Sequence, residues 1–307
     1  MTGLELSEKY YEAFGKQMLQ QFPQIVPYIA VGLIGSGSEC LGYDDLLSQD
    51  HDFEPGFCMF LPGEELVSSR DAFQLERAYA KLPREFMGYT RPAYNPTDTR
   101  HGVIRIHDFL QQKIGSSSVF LSAQEWFSIE EQYFLEVTNG KLFYDGPELM
   151  TQIRKSLEYL PEDIRLKKLT GNLLVMAQAG QYNYERCTVR EDFGAAQLTM
   201  FEFVKATLRV VFLLNRQYIP YYKWVFRALR ELPYLSNLHD NLVYLISSNN
   251  DDALYKLSIV RNIIDTISQE IQRQGLAGGG GLEQQAYAIN EKIRDISIRN
   301  MHLMCAV

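Results

Sequence analysis

An apolar run from Tyr28 to Ile34 ends abruptly in Gly35-Ser36-Gly37-Ser38, and Asp50-His51-Asp52 follows after 11 more residues. The run is rich in aliphatic residues and bounded by Pro27 and Gly35, which predicts a short buried strand. The glycine-serine segment predicts a turn opening a short helix through Gly42. A buried strand needs neighbours. Gln49 to Phe53, Phe57 to Leu61, Val103 to His107 and Leu142 to Tyr144 are the expected strands of one sheet. Helices are expected to flank it over Leu6 to Phe22, where Tyr10, Phe14, Met18 and Phe22 recur at a spacing of four, and over Ser68 to Lys81.

After Pro147 the strand patterning stops. Helical stretches are expected over 148–160, 161–179, 192–215, 221–232, 253–274 and 283–304, with a glycine-rich loop at 275–282. In the third of these, Phe201, Val204, Leu208 and Val211 have the spacing of a core face. The fold class that follows is α+β: a mixed sheet with flanking helices over residues 1–147, then a helical bundle over 148–307.

A net charge of −8 argues against a broad basic face for nucleic acid. The longest apolar run is too short to span a bilayer and contains Pro27. No membrane partner is expected. The four cysteines, Cys40, Cys58, Cys187 and Cys305, show no close metal-ligand spacing, and a reducing, cytoplasmic setting is the expected one.

Between Lys16 and Arg70 there is no lysine or arginine, yet eight acids fall there: Glu39, Asp44, Asp45, Asp50, Asp52, Glu54, Glu64 and Glu65. Acids gathered without bases repel one another, and a divalent cation with oxygen ligands is the simplest neutraliser. On a strand, residues i and i+2 share a face, so Asp50 and Asp52 would point the same way and hold one or two magnesium or manganese ions. Gly35, Ser36, Gly37 and Ser38 would offer backbone N–H groups and a helix start to phosphate oxygens. These parts suit nucleotidyl transfer, in which an acceptor hydroxyl attacks the α-phosphorus of a nucleoside triphosphate and pyrophosphate leaves.

The G-S…D-x-D order resembles the signature of the nucleotidyltransferase superfamily that includes DNA polymerase β and kanamycin nucleotidyltransferase. More closely, GSGSECLGYDDLLSQDHDF resembles a bacterial family of nucleotidyltransferase-like proteins catalogued as a domain of unknown function, which carries G-S-G-S-E…G-x-D-D…S-x-D-H-D followed by Trp. FLLNRQYIPYYKW, Phe212 to Trp224, is also similar to that family. The resemblance implies a nucleotidyltransferase-like sheet, a metal-dependent transfer of a nucleoside monophosphate from a triphosphate, with ATP the first choice, and an unidentified acceptor: a small molecule, an RNA end or a protein. This sequence departs from the superfamily in two places. Phe53 stands where that family has Trp, and the strand expected to bear a third carboxylate, Val103 to His107, has none. His107 is the candidate base in its place, with the alternative that the fold binds nucleotide or a partner with little or no turnover. Because the acidic segment has no bases, Lys223 and then Arg216, in the cluster around Pro220, are the candidate phosphate contacts.

Overall fold

The computed structural model describes residues 1–50, 53–93, 100–305 and 307, with the side chains of Gln49 and Asp50 outside that description. The chain is mixed α+β and forms two compact units, Met1–Leu121 with Ile129–Glu158, and Ser122–Ser128 with Tyr159–Val307.

In the first unit, Thr2 caps helix α1 (Gly3–Tyr10) through a reciprocal box with Glu5. A wider π-turn over Tyr11–Gly15 leads into α2 (Lys16–Leu19). Strand β1 (Ala30–Leu33) follows, then one-turn α3 (Ser38–Leu41), β2 (Cys58–Leu61), α4 (Ser69–Ala80) and a small hairpin, β3 (Glu85–Phe86) and β4 (Tyr89–Thr90). Strand β5 (Gly102–Arg105), helix α5 (Ile106–Ile114), α7 (Glu131–Thr138), β6 (Lys141–Asp145) and α8 (Leu149–Ser156) complete the unit; α6 (Ala123–Ser128) belongs to the second. The sheet order is β5-β2-β1-β6, with β1 antiparallel to β2 and β6, and β2 parallel to β5.

Register assigns the two faces. Val31 lies opposite Met59, and Val103 pairs beside it. With Leu61 these residues pack on Tyr10, Tyr11, Leu75 and Tyr79, forming the core under the N-terminal helix and α4. Ala30, Phe60 and Ile104 share the other face. Phe60 meets Phe109 of α5 there, ring centres 5.1 Å apart.

Two strand expectations are corrected. The strand expected over Gln49 to Phe53 does not start as one, because Leu47–Asp50 is a 3₁₀ turn; His51 and Asp52 lie outside the described residues. The Asp45 carboxylate accepts from the Leu47 and Ser48 N–H groups at 2.9 and 3.0 Å, a local capture that outcompetes sheet pairing. The strand expected over Val103 to His107 is Gly102–Arg105, and α5 begins at Ile106. His107 is therefore a helix residue, followed by Asp108 in the first helical turn.

The second unit comprises α6, α9 (Glu162–Met176), a π-turn over Ala177–Asn183, α10 (Tyr184–Val189), α11 (Phe193–Asn215), α12 (Val225–Glu231), α13 (His239–Ser247), α14 (Ala253–Arg273), α15 (Leu282–Asn290) and α16 (Ile296–Arg299). Helix α9 is the hub, packed by α11 and α15, and is buried almost all round. On α11 the buried face includes Phe203, Val204, Leu208 and Val211, but Phe201 is 41 % exposed. The helix expected over 283–304 is broken. The Asp163 carboxylate accepts from the backbone of Arg294 and Asp295, and Asp295 caps α16.

Candidate functional site

Strand β1 delivers the chain into the glycine-serine turn at its C-terminal end. Gly35 has φ +134° and Gly37 φ +122°, values that only glycine adopts without strain. The Asn139 side chain, just after α7, clamps the turn. Its Oδ1 accepts from Gly35 N at 3.1 Å and its Nδ2 donates to Gly35 O at 2.8 Å. The Lys113 ammonium stands 3.2 Å from Ser36 Oγ and 2.7 Å from Glu136 Oε2. A Cβ built on Gly35 would lie 3.6 Å from Lys113 Nζ, so bare backbone faces the cation. Ser36, Gly35 and Lys113 thus meet at the turn, where the Gly35 N–H is taken by Asn139 and the ammonium, paired with Glu136, keeps one donor beyond Ser36. Helix α3, which starts at Ser38, is a single turn, so its dipole adds little.

Lys113 and Arg100 bring bases to a stretch of sequence that contains none. An interval of sequence without bases is not a region of space without them. Strand β1 runs antiparallel to β2 and β5, so its C-terminal end lies beside the start of β5. Helix α5 leaves the end of β5 and returns over the sheet. Nine helical residues rise about 13 Å, roughly the length of a four-residue strand, and this brings Lys113 to the turn. The readable signal was topological: an amphipathic stretch, IHDFLQQKI, directly after a strand parallel to β2.

The acids have partners as well. Glu39 pairs with Arg100, and Glu54 Oε1 lies 2.9 Å from His101 Nδ1. Asp44 Oδ2 accepts from Gly3 N at 2.6 Å, and Asp45 holds its own turn. Glu64 accepts from Ser69 Oγ, so among the described residues five acids of the base-free interval hold a hydrogen-bond or ion-pair partner. Among the described residues, no group of three or more His, Cys, Asp or Glu has the geometry of a metal site. The Asp50 side chain and Asp52, the expected metal ligands, lie outside the described residues.

The remaining expected residues fall in different settings. His107 is half exposed, its Nε2 3.4 Å from Asp108 Oδ1. Arg105 donates to Pro62 O at 2.7 Å. Arg216 caps the C-terminus of α11 in the left-handed region and pairs with Glu162 at 2.8 Å. Much of the surrounding motif is structural. Asn215 exchanges bonds with the backbone of Tyr234, and buried Tyr218 packs on Tyr159. Lys223 is exposed, its ammonium 5.0 Å from the Trp224 ring centre. Asn139, Arg100, His101 and Lys113 carry interactions that sequence reasoning did not assign.

A family model described as Domain of unknown function (DUF4037) matches residues 126–225. That stretch takes in Phe212 to Trp224 and lies wholly beyond the glycine-serine turn. Among curated proteins none matches. Among solved structures, the chain is similar to a nucleotidyltransferase-like protein from Exiguobacterium sibiricum 255-15, at 11% identity and a TM-score of 0.37, over 94% of this chain and 80% of that one.

Proposed function

We propose that the protein is a metal-dependent nucleotidyltransferase that moves a nucleoside monophosphate from a triphosphate, ATP first, to an acceptor hydroxyl. The observation that carries this reading is the turn at the end of β1: two glycines at positive φ with the Lys113 ammonium on Ser36. Glycine backbone and a lysine side by side are what a polyphosphate needs from a protein surface. In this reading Gly35, Ser36, Gly37, Ser38 and Lys113 hold the phosphates. Asp50 and Asp52 are the metal ligands on grounds of sequence. The metal, when bound, would neutralise charge on the phosphates and orient them.

The second reading, a nucleotide- or partner-binding protein without turnover, draws on strand β5, which carries no carboxylate. Calorimetry with ATP and magnesium or manganese tests the phosphate site. The wild-type chain is expected to bind in a metal-dependent way, and Asp50→Asn with Asp52→Asn to lose that dependence. Lys113→Ala should weaken binding about 10–100-fold, the effect of one charged hydrogen bond. Unchanged affinity in Lys113→Ala would remove the turn from the phosphate site. Label transfer from α-labelled ATP then separates the two readings.

A further inference from the structure

The sheet ends at strand β5, and one residue before that strand His101 meets Glu54. His101 Nδ1 lies 2.9 Å from Glu54 Oε1, and the two side chains are only 10% and 17% exposed. A carboxylate partner fixes the imidazole with its proton on Nδ1 and a lone pair on Nε2. Among the described residues, Nε2 has no hydrogen-bond partner. The ring lies against Gly56, where a built Cβ would sit 2.7 Å from it, so only glycine leaves room for this placement. His101 lines a cavity of about 390 Å³ along β5, between α4 and α5. Its charged lining is Glu76 from α4, Arg105 from β5 and Asp108 from α5, with Ser69 and Gln112 alongside. Burial holds the Glu76 carboxyl above its usual range. Arg105 is already engaged by Pro62 O. The neighbouring Arg100 pairs with Glu39, next to Gly37 of the phosphate turn.

We infer that His101 is the general base of this protein, positioned by Glu54, and that the cavity along β5 receives the acceptor, a neutral or cationic small molecule bearing a hydroxyl. The inference rests on the nucleotidyltransferase reading and deepens it by supplying the base that β5 lacks as a carboxylate. In the step, the acceptor O–H proton passes to His101 Nε2 and the oxygen forms a bond to the α-phosphorus of ATP. The bond from that phosphorus to the bridging oxygen breaks, pyrophosphate leaves, and the imidazolium returns its proton to solvent. The carboxylates of the lining disfavour an anionic acceptor such as an RNA end and favour a ligand rich in donors.

The test uses the full chain, α-labelled ATP, manganese and cell extract separated into small-molecule and RNA fractions. Label is expected in the small-molecule fraction. His101→Gln should lower transfer about 10²–10⁴-fold, the usual contribution of a general base, while ATP affinity measured by calorimetry stays unchanged. His101→Gly should regain transfer on addition of imidazole, which a purely structural histidine would not allow. Glu54→Gln keeps the ring but removes its orienting charge, and should flatten the rise of rate with pH that a general base gives the wild type. That profile and the Glu54 variant keep the test open where a His101 variant fails to fold. No ATP binding by the wild-type chain would overturn both readings. ATP binding with full transfer in a folded His101→Gln, no transfer by the wild type, or label in the RNA fraction alone would overturn this one while leaving the phosphate site standing.

Discussion

Glu162 shows how much one side chain at a helix start can hold. It accepts from Arg165 at 2.7 and 3.0 Å and pairs with Arg216 at 2.8 Å. Arg165 is 1% exposed, and apart from Glu162 the acceptor recorded for its guanidinium is Leu213 O. The hydrogen bonds from Arg165, with those from Arg216, hold the Glu162 carboxyl down to about 2. A carboxyl whose folded-state pKa lies below its unfolded value, about 4.3, adds stability above that value. The contribution is lost as the pH falls from there towards 2. Glu162 is nearly half exposed, so solvent screens part of the interaction. The larger penalty in Glu162→Gln comes from leaving a buried guanidinium without its countercharge, about 2 kcal/mol after that screening. The variant is expected to unfold at lower urea at pH 7, and the gap from wild type should close as both are titrated towards pH 2. A gap independent of pH would show that packing, not charge, sets the loss.

At the scale of elements, the regular pieces with strong local signals were legible and those decided by distant side chains were not. Strand β1 and the turn after it follow from an apolar run meeting Gly35, and α11 and α14 fall on the helical stretches expected over 192–215 and 253–274. The 3₁₀ turn at Leu47–Asp50 was hidden because one Asp45 side chain decides it. The base near the turn was hidden because Lys113 is 77 residues from Ser36 in sequence. The break between α15 and α16 was hidden because its acceptor, Asp163, is 131 residues away from Arg294. Lys167 continues that logic. Its buried ammonium donates to Asn290 Oδ1 at 3.0 Å, Arg299 O at 3.0 Å and Met301 O at 2.7 Å, tying the end of α16 to α9. Desolvation lowers its pKa, a strain that three oxygens offset. Lys167→Met keeps the length and leaves these acceptors unmet, at a cost of about 2 kcal/mol. Hydrogen exchange should rise over residues 296–305 in that variant and stay unchanged across β1 and β2. Unchanged protection of 296–305 would mean that the tail is held by its apolar contacts alone.

For the whole molecule, the informative fact is that the chain does not divide at a single point. Residues Ser122–Ser128 leave the first unit, join the second, and the chain then returns to form α7, β6 and α8. Helix α6 packs against α9, and its Trp126 is 7% exposed. A cut at residue 147 therefore strips the bundle of one of its own helices. Both tryptophans, Trp126 and Trp224, lie in the second unit, so tryptophan fluorescence follows the unfolding of that unit. Removing a buried tryptophan side chain costs about 3–5 kcal/mol. A fragment of residues 148–307 lacks α6 whole, and a full-length Trp126→Ala chain keeps α6 without its buried side chain. Both are expected to unfold at lower urea than the wild type, with Trp224 as the reporter, the fragment at least as early as the variant. If the fragment matched the intact wild type while Trp126→Ala did not, the damage in the substitution would come from a cavity in α6 itself, and the bundle would be complete without residues 122–128.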